Sequence, residues 1–370
     1  MDRFRVLSKS VLTIYTLMIR TILLLIYFLL VGFSVKSQDA KPNTQQALFN
    51  LHKRKFVEFE KLHRGDIKFK NHQLSYLKWG DNTQKVFVWL PGSLLSAYDF
   101  YPFAEKLMED GYTVISVDHY GHGLTEMPQE DLDFWDFADD LTTLLDQMQI
   151  NSVVIGGFSR GGYLASAFYE KYPEKVKAIV LEEGGSVSFK AMFDKLSKEE
   201  FDVFASDLEP PVQVQELLFG EYDSEFEIFR NLSIIDGSDS QWQNFGFVRK
   251  KGEKYIMYQG LNEYMHMQDR LHYLGVLNQA KDVSRYASSI VRVDPAKIYK
   301  SLSVPLFIIE ATGQPDFFDT TLENQKLKNL HPDRIRYVQF DCDSHNIHFG
   351  CPDRFILELR EFLNGLEVSP

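Results

Sequence analysis

Cysteine is nearly missing from this chain: 370 residues contain only Cys342 and Cys351. At most one disulfide can form. Basic residues are also in deficit, 40 Lys and Arg against 52 Asp and Glu, for a formal charge of −12. That balance argues against nucleic acid as a partner, because phosphates need a basic surface. No internal repeat or low-complexity tract occurs. His119 and His122 form no metal motif with their neighbours, and Asp341, Asp343 and His345 lack a specific ligand spacing. No metal and no organic cofactor is expected. Aromatic residues, by contrast, are abundant, with 30 Phe and 18 Tyr, and leave room for an apolar substrate surface beyond the core.

Residues 1–37 read as a segment apart from the fold. An apolar block over 21–30 follows Arg20, and Val35 and Ser37 suit the small-residue positions of a secretory cleavage site before Gln38. A start at Met18 would give a shorter, basic then apolar leader. The competing reading is an uncleaved membrane anchor over 11–33, interrupted by Arg20. No cysteine lies near the cleavage site, which argues against a lipid anchor. The expected location is periplasmic or secreted, at a membrane only if the segment stays uncleaved. Residues 1–37 carry five basic and one acidic side chain, so the rest of the chain carries −16, which favours solubility.

The remainder divides by its patterning. Residues 38–65 contain a leader with helical character over 48–62, read as a surface helix. Ile67-Lys68-Phe69 and Gln73-Leu74-Ser75-Tyr76-Leu77 alternate around Lys70-Asn71-His72 and predict an antiparallel hairpin. Val86-Phe87-Val88-Trp89-Leu90 is a continuous apolar run ending at Pro91-Gly92, as a strand buried on both faces requires. Helices at 100–109, 134–148 and 162–172 then alternate with strands at 113–117, 153–156 and 175–181, the rhythm of βαβ units. The predicted class is α/β, a mostly parallel central sheet with helices on both faces. Its first part spans 66–185. From 186 to 302 the rhythm breaks into helical pieces at 191–204, 211–218 and 261–277, with a hairpin whose arms are 245–249 and 254–258. This segment reads as an inserted, mainly helical cap. Trp242, Phe245, Tyr255 and Met257 within it either form the cap's own small core or roof a pocket against water. The core resumes over 303–370, with strands at 304–309 and 336–340 and a helix at 353–363.

The strand at 153–156 runs into Gly157-Phe158-Ser159-Arg160-Gly161 and out through Gly162-Tyr163-Leu164-Ala165. A serine flanked by glycines at a strand-to-helix turn has the form of a nucleophile elbow. The glycines are required because the chain folds back closely on itself. The following helix aims unsatisfied N–H groups at the place where negative charge would develop. A serine hydroxyl needs a base, which a third group must orient. Asp316 follows one late strand and His345 follows the next, and the carboxyl ends of parallel strands lie along one edge of such a sheet. The order Ser159, Asp316, His345 is that of a serine hydrolase of this architecture.

On these residues the chain resembles the α/β-hydrolase superfamily, specifically the capped group that includes carboxylesterases, epoxide and haloalkane hydrolases, carbon–carbon bond hydrolases and prolyl aminopeptidases. Asp118-His119-Tyr120-Gly121-His122-Gly123 is similar to the family's turn after its fourth strand, and Ser344-His345-Asn346-Ile347-His348-Phe349 to its terminal histidine segment. The resemblance selects His345 over His348 as base. It implies that the backbone N–H groups of Ser93 and Arg160 form the oxyanion hole, although Pro91-Gly92 stands where many relatives have His-Gly. It also makes Glu183, or Glu182, the rival to Asp316 as orienting acid. The Arg160 guanidinium has three candidate roles: binding a substrate carboxylate, pairing with Glu182 or Glu183, or reaching solvent.

The resulting expectation is a serine hydrolase acting on a small organic ester. An aminopeptidase or amidase with the same triad is the alternative, with Glu221, Asp223, Glu225 or Glu227 available to hold a substrate amine. Lactone or carbon–carbon bond hydrolysis is compatible too, and a non-catalytic binding protein is the rival of another class. Ser159→Ala should abolish turnover with little loss of fold, and His345→Ala nearly so, whereas His348→Ala should leave substantial activity. Asp316→Asn should lose most turnover, or, if it does not, pass the role to Glu183. Steady-state rates checked against thermal melting test each assignment.

Overall fold

A computed structural model describes residues 42–206, 220–232, 241–257, 270–312, 320–342 and 344–366. Asp316, Asp343, the 1–37 segment and the stretches 211–218 and 261–269 lie outside them. Helix α1 (Pro42–His63) leads into strands β1 (Arg64–Lys68) and β2 (Gln73–Trp79), antiparallel with Ile67 opposite Leu74. Next come β3 (Val86–Leu90), α2 (Tyr101–Glu109), β4 (Thr113–Val117), α3 (Phe134–Gln147), β5 (Val153–Phe158), α4 (Arg160–Lys171) and β6 (Val176–Glu182). The inserted region carries α5 (Phe189–Phe193), α6 (Lys198–Ser206), α7 (Glu225–Leu232), the hairpin β7 (Arg249–Lys251) and β8 (Lys254–Ile256), α8 (Arg270–Leu277) and α9 (Arg285–Arg292). Strand β9 (Leu306–Ala311), α10 (Thr321–Leu330), β10 (Ile335–Phe340), α11 (Ile347–Gly350) and α12 (Pro352–Gly365) complete the described chain.

The sheet has the order β1-β2-β4-β3-β5-β6-β9-β10. Pairing is antiparallel at β1–β2 and β2–β4 and parallel from β4 to β10. This is the expected architecture: a mostly parallel central sheet flanked by helices, with an inserted helical cap. Strand β3 shows why its sequence is apolar throughout. Val86, Val88 and Leu90 join Phe134 and Leu141 of α3 and Leu164 of α4 in one layer. Phe87 and Trp89 join Phe103 of α2 and Phe355 and Leu359 of α12 in the other. Successive side chains alternate faces, and here both faces are covered. Asp133 starts α3 with a capping box: its side chain accepts the N–H groups of Trp135 and Asp136 at 3.0 Å, and Asp136 accepts that of Asp133 at 2.8 Å. Arg292 of α9 binds the same Asp133 at 3.1 Å, joining the inserted region to the core.

Two expectations change. The first arm of the cap hairpin is largely a 3-10 helix over Gln241–Phe247, leaving three-residue strands. The reason is packing: Trp242 and Phe245 turn inward and are almost fully buried. They meet α1, with Phe59 and Trp242 rings 4.7 Å apart and Phe56 and Phe245 rings 5.5 Å apart. Helix α1 lies at the surface, with Leu51, Val57 and Leu62 exposed, but its aromatic face is also a wedge between cap and core. Phe49 contacts Phe226 and Phe229 of α7, and Phe59 contacts Tyr101 at the start of α2. Each such ring, if fully buried, contributes about 1.5–3 kcal/mol.

The wedge is also fixed by charge. The buried Arg64 guanidinium binds Asp118 at 2.8 Å and Glu60 at 2.9 Å. Burial lowers the arginine's pKa, but Asp118 and Glu60 outweigh it and raise it above its ordinary value. Asp118 additionally accepts the N–H groups of Ala97 at 2.5 Å and Leu124 at 3.0 Å. The family-like turn is thus organised around a carboxylate, and Gly123 has to be glycine, since at φ +49 a Cβ would lie 1.9 Å from Asp118 Oδ1. Arg64→Met strands that carboxylate in the interior and should cost roughly 3–5 kcal/mol of stability. Urea denaturation checks this, and a loss near zero would show that Asp118 finds another partner.

Candidate active site

The strand order reverses beside β3, because β3 leads outward to β4 while the next crossover returns past it to β5. Sheets of this kind leave a crevice at the carboxyl ends of such strands. Ser159 stands there, between β5 and α4, at φ 48 and ψ −116. A non-glycine residue in this region is strained and persists only where its surroundings impose it. They do so here: Ser159 N–H donates to the Glu182 carbonyl at 2.8 Å, and its own carbonyl accepts Gly162 N–H at 2.9 Å. A Cβ on Gly157 would fall 2.2 Å from the Gly161 carbonyl, and one on Gly161 would fall 1.8 Å from the Leu90 oxygen. The turn closes only with both glycines.

Ser93 and Arg160 are brought together. Arg160 Nε donates to Ser93 Oγ at 3.0 Å, so a side-chain contact joins the two residues expected to supply oxyanion-hole amides. The guanidinium is buried, 2% exposed, and lies 5.9 Å from the ring centres of Phe134 and Tyr286. The solvent-facing role for Arg160 is therefore set aside. His119, next to Pro91-Gly92, is wholly buried, and its Nδ1 meets the Tyr286 hydroxyl at 2.7 Å. Burial first, then the nearby Arg160 charge, lowers its pKa to about 3. His122 packs against it with ring centres 3.7 Å apart and planes tilted by 45°, and is likewise pushed well below the ordinary histidine value by burial and by His119. Both rings are neutral at pH 7.

His345 follows β10 and is partly exposed. Its Nδ1 lies 3.5 Å from Glu183 Oε2, with the Glu183 side chain 1% exposed. Glu183 has left the β6 strand at φ 53, its N–H donates to Ile309 at 3.1 Å, and its Oε1 accepts Ala311 N–H. The rival acid is thus the carboxylate that the described residues place against the histidine, while Asp316 lies outside them. Phe158, directly before the serine, has its ring 5.0 Å from that of His345.

The second histidine of the segment is differently placed. His348 is wholly buried. Its Nδ1 donates to Glu182 at 2.7 Å, its Nε2 donates to Asp99 Oδ1 at 2.9 Å, and its backbone N–H donates to Glu182 Oε1 at 2.9 Å. Burial alone would lower its pKa, but Asp99 and Glu182 outweigh burial and hold it at about 10. Both ring nitrogens of His348 are thus committed, whereas the His345 ring is partly exposed. Asp99 and Glu182 were not legible as partners of His348; the only hint was that Glu182-Glu183 and His345-x-x-His348 come as pairs. Nearby, Cys342 and Cys351 are free thiols. Burial, then contact with Cys351, pushes the Cys342 thiol up to about 12. Among the described residues, no group of three or more His, Cys, Asp or Glu is placed to hold a metal ion.

Residues 85–215, less than half of the chain, match the sequence profile of the alpha/beta hydrolase fold. The chain is 32% identical over 105 residues to a putative 2-succinyl-6-hydroxy-2,4-cyclohexadiene-1-carboxylate synthase of Bacillus subtilis, covering 28% of this chain and 38% of that protein. It is 32% identical over 81 residues to 2-(acetamidomethylene)succinate hydrolase of Mesorhizobium japonicum, covering 22% and 29%. The matches thus span less than two fifths of these relatives. Among solved structures, E-2-(acetamidomethylene)succinate hydrolase superposes with a TM-score of 0.56 at 16% identity, over 81% of this chain and 98% of that one. A thermophilic esterase from Thermogutta terrifontis superposes at 0.52 and 19% identity, over 82% and 98%. The fold is that of the α/β hydrolases. Esterases and other hydrolases are among the proteins this chain is similar to.

The charge on His348 gives a signed pH dependence. Its pKa is raised on folding, so its contribution to stability is complete below the ordinary value of 6.5 and is lost as pH rises through about 10. Denaturation midpoints compared between pH 6 and about 10.5 should fall further in the native chain than in His348→Gln. Parallel curves for the two would remove the charge from that site.

Proposed function

We propose that the protein is a secreted serine hydrolase of the capped group, cleaving carboxylic esters through an acyl-enzyme. The observation that carries this reading is the turn at Ser159, a serine at φ 48 between a strand end and a helix N-terminus. His345 takes the Ser159 hydroxyl proton as Oγ adds to the ester carbonyl carbon. The backbone N–H groups of Ser93 and Arg160 receive the oxygen that becomes negative. Collapse expels the alcohol, protonated by His345. A water deprotonated by the same ring then attacks the acyl carbon, and the acid leaves. The oxyanion donors need rigid placement, and the Arg160–Ser93 hydrogen bond supplies it where Pro91 replaces the histidine of many relatives. Glu183 is favoured as the group orienting the imidazole because of its 3.5 Å contact with Nδ1; Asp316 is the other candidate. The cap aromatics Trp242 and Phe245 are committed to packing on α1, in the same cluster as Phe87 and Trp89 of β3, rather than to a separate cap core. Cleavage before Gln38 would release the chain to the periplasm or beyond, and retention of residues 1–37 would anchor it.

The aminopeptidase reading fits less well. Its amine anchor would come from Glu221, Asp223, Glu225 or Glu227. Glu221 pairs with Lys251 at 3.5 Å, Asp223 with Lys254, and Glu225 with Lys53 at 2.9 Å. Glu227 accepts Asp223 N–H at 3.2 Å. Each of these four carboxylates already has a donor, three from the cap and one from α1.

A fluorophosphonate probe, with the adduct located by peptide mass spectrometry, should label Ser159 in the chain lacking residues 1–37 and leave Ser159→Ala untouched. No labelling of folded protein, together with inertness towards small activated esters, would favour a binding module. On an accepted ester, Glu183→Gln should lose up to about 10⁴-fold in kcat, as removal of an orienting carboxylate does elsewhere, and Asp316→Asn much less. The reverse ranking would give Asp316 the role.

A further inference from the structure

Glu182 and Glu183 are consecutive at the end of β6, and each meets one histidine of the segment after β10: Glu182 meets His348 and Glu183 meets His345. The two contacts differ in kind. His345 is partly exposed and touches its carboxylate at 3.5 Å. His348 is gripped from both sides, by Glu182 at 2.7 and 2.9 Å and by Asp99 at 2.9 Å. Asp99 is held in turn by Trp89 Nε1 at 3.0 Å. Strand β3, the turn Ala97–Phe100, strand β6 and helix α11 therefore meet at one imidazole ring. Carboxylates only accept hydrogen bonds, so both ring nitrogens donate and the ring is an imidazolium. Charge-assisted bonds are short and directional. An apolar side chain at this position would fill the space but leave the rotation of the segment unset. The ring of Phe158 stands edge-on to His348 at 5.4 Å and lies 5.0 Å from His345, so both histidines bear on the residue that precedes the nucleophile.

We propose that His348 is a positioning residue for His345: clamped between Glu182 and Asp99, it fixes the segment after β10 on the end of β6, so that the His345 ring meets Glu183 beside the Ser159 turn. This rests on the serine-hydrolase reading of Ser159 and His345, and it revises the expectation that loss of His348 is well tolerated.

The test uses the chain from Gln38 onward and the rate constant for modification of Ser159 by a fluorophosphonate, which reports the base without a known substrate. His348→Gln should slow modification about 100-fold, the effect of a displacement near 1 Å at a reacting group, while circular dichroism stays that of the parent. Asp99→Ala, which frees Nε2 but leaves the Glu182 contact, should slow it by a smaller factor. Asp99→Asn, which keeps an acceptor for Nε2–H, should restore the rate. A folded His348→Gln variant with the parental rate overturns the proposal. If that variant does not fold, a folded Asp99→Ala protein with the parental rate overturns it instead. Histidine ¹⁵N spectra read the clamp separately from activity, with two ring N–H protons expected on His348 at neutral pH; an unprotonated ring nitrogen there overturns it. Absence of labelling in the parent chain, with those two protons present, would instead sink the serine-hydrolase reading and leave the clamp standing.

Discussion

Glu182 is the residue on which the geometry of the site depends. Its carbonyl accepts the N–H of Ser159, and its carboxylate holds both the backbone N–H and the ring of His348. One residue at the end of one strand thereby ties down the Ser159 turn and the segment that carries His345. Burying a carboxylate is costly unless it is paired and hydrogen-bonded. Glu182, wholly buried, is both. The strained backbone at Ser159 sits next to this paired carboxylate, as a strained turn needs rigid surroundings to persist.

Other buried charges follow the same logic at a distance. Asp118 collects Arg64 and two backbone N–H groups and shapes the turn after β4. Its arginine comes from β1 and is shared with Glu60 of α1. Arg160 is packed over aromatic faces and bonded to Ser93. Placed next to His119, it helps to keep that ring neutral. Around the Ser159 turn there is a division: a fixed imidazolium, His348, in the segment of His345, and neutral imidazoles, His119 and His122, on the side of Arg160.

The strands were readable because being covered on both faces leaves a plain mark, an unbroken apolar run such as Val86–Leu90. The elbow was readable because its glycines are demanded by local sterics. The core helices α2, α3, α4 and α12 were readable within a few residues at their ends, whereas α10 was not read at all. What escaped was set by contacts far apart in the chain. Asp99 and His348 are 249 positions apart, and nothing near either one announces the other. Residues 245–247 carry strand-like side chains, yet burial of Trp242 and Phe245 against α1 turns them into a 3-10 helix. The contact between Glu183 and His345 escaped for a related reason. Two strand ends each offered a carboxylate, and it is the backbone path after β6 that brings Glu183 to Nδ1 of His345.

Helix α1 also bears on the order in which the chain acquires its shape. Its aromatic face is complementary to Phe229, Trp242 and Phe245, all made long after the helix itself leaves the ribosome. Contacts so distant in sequence close a large loop and form late. Until then three phenylalanines of α1 stay uncovered, the kind of surface that chaperones bind and that aggregates when left exposed. The first described helix is in this sense among the last elements to be seated.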